Sequence, residues 1–166
     1  SSITTGSVDG TNPTIASTVS VNASAGFSIV TYTGSGTGGD TIAHGLGVTP
    51  KMIIAKSRGG GTYPTASWAV YHESIGASKS LTLDTNNKEA GPYTNPATMW
   101  YNTTPTSTHF FVGNLNENNG DNDYVAYCFA EVEGYSKFGI IRGNYNANGP
   151  FIHLGFSPAF LMFKNA

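Results

Sequence analysis

The sequence predicts an all-β chain, an antiparallel β-sandwich of jelly-roll-like kind with an internal duplicated hairpin. Three observations carry that prediction. Short apolar and aromatic runs alternate with Gly, Asn and Pro turns along the 166 residues, and no helical periodicity outlasts two turns. Charged residues make up only 11%, against roughly 25% in ordinary soluble domains, so Gly, Ser, Thr and Asn, which are poor helix formers, supply the polar surface. A pattern also occurs twice. Gly26-Phe-Ser-Ile-Val, a glycine-rich stretch and His44-Gly-Leu-Gly-Val-Thr-Pro-Lys-Met-Ile-Ile-Ala-Lys56 are echoed by Gly134-Tyr-Ser-Lys-Phe, a loop and His153-Leu-Gly-Phe-Ser-Pro-Ala-Phe-Leu-Met-Phe-Lys164. Gly26/Gly134, Ser28/Ser136, Gly47/Gly155, Pro50/Pro158 and Lys56/Lys164 share an offset of 108 (134 minus 26), and the two histidines miss it by one. Such self-similarity marks the building unit of a fold.

Taken in order, residues 1–25 are rich in Ser, Thr, Gly and Asn, with turn signals at Asp9-Gly10 and Asn12-Pro13, and read as an N-terminal linker or arm ending in a short strand over 18–22. The module then runs over 26–166, with related hairpins at 26–56 and 134–164. Phe27 to Thr33 alternates as a strand, 34–39 is a loop, and Lys51 to Lys56 is a buried strand. Further strands are expected over 67–72, 81–83, 98–101 and 109–112. Asp123 to Val132 carries Val, Tyr and Phe on both faces, the mark of a central strand. Tyr135 to Ile141 and Ala159 to Phe163 complete the second copy. Either that last strand closes the sandwich opposite the first hairpin, or it opens a second module; an unpaired edge would invite another chain.

Composition excludes several classes. Hydrophobic residues at 39% support one buried core. Net charge is −2 and Lys/Arg do not cluster, so the basic footprint of a nucleic-acid binder is missing. No run approaches the roughly 18 apolar residues of a membrane-spanning helix, and no signal peptide is visible. The chain starts without Met, which reads as processing or as a segment of something longer. Cys128 is the single cysteine and sits in an apolar run, as a buried thiol would.

Several motifs carry chemistry on paper. Gly34, Gly36 and Gly39 match the dinucleotide spacing, but Gly45, Gly47 and Pro50 follow where a helix is required, so a hairpin loop is expected. Glu131 and Glu133 leave one face of a strand roughly 7 Å apart, the pairing used in glycoside hydrolysis, although the preceding same-face residue is Phe129. Glu117, Asp121 and Asp123 gather with amides around Gly120, an oxygen-rich loop of the kind calcium accepts. His44, His72, His109 and His153 lack metal-site spacing, and the repeat position of His44 and His153 points to hydrogen bonding in a turn. Trp68, Tyr71, Trp100 and Tyr101 are the candidates for glycan contact, since sugars pack on exposed aromatic faces. Adjacent Trp100 and Tyr101 would point to opposite faces of a strand, placing at least one in the core.

Gly26-Phe-Ser-Ile-Val-Thr-Tyr-Thr-Gly34, His44-Gly-Leu-Gly-Val-Thr-Pro-Lys-Met-Ile-Ile54, Trp68-Ala-Val-Tyr-His72, the run Tyr124 to Phe138 and Gly155-Phe-Ser-Pro-Ala-Phe160 resemble repeat modules of marine and environmental bacteriophage virion proteins, of tail-fibre-like or hypothetical structural kind. The resemblance implies a virion or extracellular surface setting, with receptor or glycan contact, and brings no catalytic residues with it. The expectation is a non-enzymatic structural or adhesive module that associates with itself or with other virion or fibre proteins. Its rivals are a carbohydrate-binding module recognising host-surface glycan and a glycosidase using Glu131 and Glu133.

Overall fold

The computed structural model describes residues 13–62, 65–92 and 98–165; the expected linker over 1–12, with its Asp9-Gly10 turn, lies outside them. Among the described residues are eight strands: β1 (Ser17–Asn22), β2 (Phe27–Thr33), β3 (Thr41–Ala43), β4 (Met52–Gly59), β5 (Ala69–His72), β6 (Leu81–Thr82), β7 (His109–Phe111) and β8 (Asp123–Phe129). They make an antiparallel two-layer sandwich of six and two strands, ordered β1-β2-β8-β4-β5-β6 and β3-β7.

β8 holds the large sheet together. Phe27 to Thr33 pair with Phe129 to Asp123 on one side, and Met52 to Lys56 with Phe129 to Val125 on the other. Its alternation explains the position: Tyr124, Ala126 and Cys128 are fully buried toward the small sheet, while Tyr127 and Phe129 pack on the opposite face. β4 is buried on both faces, as a Met-Ile-Ile-Ala run flanked by strands on both sides should be. Between the layers, Val19, Val30, Tyr32, Ile53 and Tyr71 meet Ile42 and Phe110. Gly26 ends a turn of 3-10 helix in the left-handed region (φ 63°), and a side chain there would meet the Ala130 carbonyl oxygen at 2.6 Å.

Three expectations change. β2 and β4 are not a hairpin, because β8 lies between them and Gly34–Gly39 leads the chain away to β3 in the other layer. Three-residue β3 is too short to show periodicity. Residues 98–101 form a turn rather than a strand, with Tyr101 and Asn102 at φ 51° and 47°. The reversal drives Trp100 inward, where Nε1 donates to the Val70 carbonyl at 3.3 Å. Finally, 135–141 and 159–163 form no strands. Ile53 is fully buried, yet its repeat counterpart Leu161 is 58% exposed, because no described strands flank it as β8 and β5 flank β4.

Candidate assembly surface

The four aromatics separate by burial. Tyr71 and Trp100 lie in the core, ring centroids 5.8 Å apart in edge contact, and are closed to any glycan. Their place among the glycan candidates is corrected accordingly: both rings fill the space between the layers. Trp68 is half-buried beside the outer-face cluster, with the Lys56 ammonium 5.8 Å from its ring centroid. Tyr101 is half-buried with its ring against Gly39. These two rings therefore meet different partners.

The acidic loop before β8 turns its amides inward. Asn119 Nδ2 donates to the carbonyls of Thr37 (2.8 Å) and Gly113 (2.7 Å), and its Oδ1 accepts from Ser35 N at 3.0 Å. Tyr32 and Tyr124 stack at 5.3 Å and donate their hydroxyls to the carbonyls of Asn118 (2.7 Å) and Asn116 (2.6 Å). Burial lifts both phenols above their ordinary range, so they stay protonated donors. The loop is a plug closing one end of the sandwich. Two of its carboxylates are exposed and Glu117 is half-buried: Asp121 accepts from Thr62 N and Oγ1, which hold its pKa down, and Asp123 accepts from Thr33 Oγ1 at 2.7 Å. Among the described residues no three His, Cys, Asp or Glu side chains are grouped to hold a metal ion.

His44 is fully buried in the turn where the repeat places it. Its Nε2–H donates to the Thr106 carbonyl (3.1 Å) and its Nδ1 accepts from Leu46 N (3.2 Å). Desolvation lowers its pKa to about 4, keeping the ring neutral as both bonds require. His153 is exposed.

Glu131 and Glu133 line a small cavity of about 280 Å³ together with Lys137, Leu154 and Phe156. Glu131 accepts from Lys137 Nζ at 2.8 Å and from Phe138 N at 3.2 Å, and its carboxyl is held below the usual range, chiefly by the lysine. A general acid needs the opposite shift. The carboxylate pins the turn that brings Phe138 back over the sheet.

That turn leads to the sequence's strongest unmet demand for burial. The outer face of the large sheet carries Met52, Ile54, Val70 and Leu81 beside Tyr127 and Phe129 of β8, with Trp68 and Phe138 packed against the cluster. Phe138 reaches Phe129 and His72 at centroid distances of 6.3 and 6.5 Å. Beyond it, Ile140, Phe151, Phe160 and Phe163 stand exposed, Phe151 by 90% and Phe160 by 79%. Lys164 Nζ returns to the Thr85 carbonyl. The sequence signal for this exposed segment is the repeat, which predicts a second hairpin over 134–164.

A family model described as a domain of unknown function (DUF7483) matches residues 3–166. No curated protein and no solved structure matches the chain.

Proposed function

The chain belongs to the DUF7483 family, and we propose that it is a non-enzymatic structural or adhesive β-module of a phage virion, in a tail fibre or surface decoration, that assembles with copies of itself or with other virion proteins. The observation that carries assembly is the apolar segment over 139–163, exposed beside a core already complete without it. The virion setting draws support from the resemblance of the Tyr124 to Phe138 run and the Gly-x-x-Pro units to phage repeat modules. A surface with few charges and many short polar side chains suits close packing of subunits, since few ions lose their hydration there. Among the described residues, no helix is long and apolar enough to cross a membrane.

Light scattering over a range of concentrations tests assembly. The wild type is expected to associate, and Leu161→Asp with Phe163→Asp to stay monomeric while unfolding at the same temperature. A wild-type monomer at the highest concentration would defeat the proposal.

Glycan binding retains two footholds, the half-buried Trp68 and Tyr101. Glycan-array signal lost in Trp68→Ala or Tyr101→Ala would favour it; signal unchanged in both variants would remove it.

A further inference from the structure

We propose that the polar end of the large sheet's outer face binds a carboxylated sugar. Arg58 takes the carboxylate, and a row of threonines takes the ring hydroxyls. This deepens the adhesive reading, on which it rests, by naming the sugar chemistry and its place.

The groove follows from strand alternation. Tyr32 and Tyr124 turn into the core, so their neighbours Thr31, Thr33 and Asp123 project from the opposite face. Thr18 of β1 stands across from Thr31, and Thr33 across from Asp123 of β8. With Arg58 near the end of β4, they line a cavity of about 340 Å³. That is the small end of the range for ligand clefts and gives room for a sugar residue or two. The opposite end of the same face is the apolar cluster around Ile54 and Val70.

Two features aim Arg58 at this groove. The β4–β8 ladder pairs Ser57 with Tyr124 and Gly59 with Asp123, so Arg58 is the extra residue at a shift in register. Bulges of this kind re-aim a side chain. Gly59 and Gly60 follow with φ of 97° and 96°, and a Cβ on Gly60 would lie 3.2 Å from Asp123 Oδ2. The second feature is the state of the guanidinium. Lys51, Lys79 and Lys137 are ion-paired, and Lys56 and Lys164 sit on carbonyls. Among the described residues Arg58 makes no hydrogen bond or ion pair, although Asp123 lines the same groove. That carboxylate accepts from Thr33 Oγ1 at 2.7 Å instead.

The lining selects the ligand. A guanidinium presents a planar fork of donors that a carboxylate fills with two parallel bonds. Threonine hydroxyls, and the lone pairs of Asp123 that Thr33 leaves open, exchange hydrogen bonds with sugar hydroxyls. A bare anion would bring Asp123 no donor, and a doubly charged phosphate would be repelled by it more strongly. A neutral sugar would leave the Arg58 fork empty. A polyhydroxylated ring with one carboxylate satisfies both sides. The groove is separate from the two aromatic footholds: the Trp68 ring lies under the Lys56 ammonium, 5.8 Å away, and Tyr101 lies against Gly39.

The test is an array of matched neutral, carboxylated and sulfated saccharides probed with the whole 166-residue chain. The strongest carboxylated ligand is then titrated beside its methyl ester, which keeps the shape and removes the charge. Carboxylated members are expected to bind, and esterification to weaken binding by about tenfold or more. Arg58→Ala should do the same, and Thr31→Val should weaken binding by about threefold or more. Arg142→Ala, which removes an equal charge at an exposed position outside the groove, should change nothing. Arg58 is itself exposed, so its loss should leave the unfolding temperature unchanged. No binding of any carboxylated saccharide, preference for the sulfated set, equal affinity for the ester, or unchanged affinity in Arg58→Ala would each overturn the groove. Neutral saccharides bound through Trp68 or Tyr101, lost in their alanine variants and kept in Arg58→Ala, would also overturn it while leaving glycan adhesion standing.

Discussion

His44 ties the fold to pH. The folded state keeps its imidazole neutral down to about pH 4, whereas the unfolded ring takes a proton below about 6.5. The unfolded chain thus binds more protons between those values, so stability is fully present above pH 6.5 and falls as pH drops toward 4, by about 3 kcal/mol. His72 and His109 shift the same way through burial, so urea titrations of His44→Gln should show a smaller slope over that window, not a flat one. An unchanged slope would contradict the placement of His44. Cys128 offers a second check. Burial pushes its thiol up to about 12 and leaves it no solvent contact. The native protein should not react with a chromogenic disulfide reagent at neutral pH, and one thiol should appear on unfolding. Both residues were legible in sequence, His44 from its repeat position and Cys128 from its apolar neighbours. Tyr71 and Trp100 were not, because an aromatic ring suits a core and a sugar face equally until its surroundings are known.

Among the elements, the loop before β8 shows why composition misleads. Its Asn, Asp and Gly residues suit a calcium loop and a polar plug alike, and the difference lies in which way the amides turn. Asn119 serves three backbone groups from inside the protein, so Asn119→Ala should cost roughly 3 kcal/mol, by leaving them unpaired. Asp121→Ala removes only exposed bonds to Thr62 and should cost under about 1 kcal/mol. Thermal denaturation of the two variants separates plug from surface loop; equal losses would mean that the amides are not holding the end closed. Strand content was legible where apolar residues alternate over seven positions, as in β2 and β8. It failed for Trp100-Tyr101, where the tertiary demand to bury one indole reverses the chain at a run with good strand propensity.

Across the whole molecule, the two-layer sandwich was legible from turn spacing and composition, while pairing order was not. The repeat suggested local hairpins, but β8 enters between β2 and β4 from far along the chain, a non-local choice that no short window records. The repeat leaves two roles open for the second copy, closing the sandwich or opening a further module; among the described residues its segments form no strands and do not fold as the first copy does. Hydrogen exchange on the dilute protein measures that difference most directly. Amides of β8 and of its partners in β2 and β4 should exchange slowest, and those of 159–163 near the rate of an unstructured chain. Protection of 159–163 equal to that of 52–55 in a dilute monomer would contradict it.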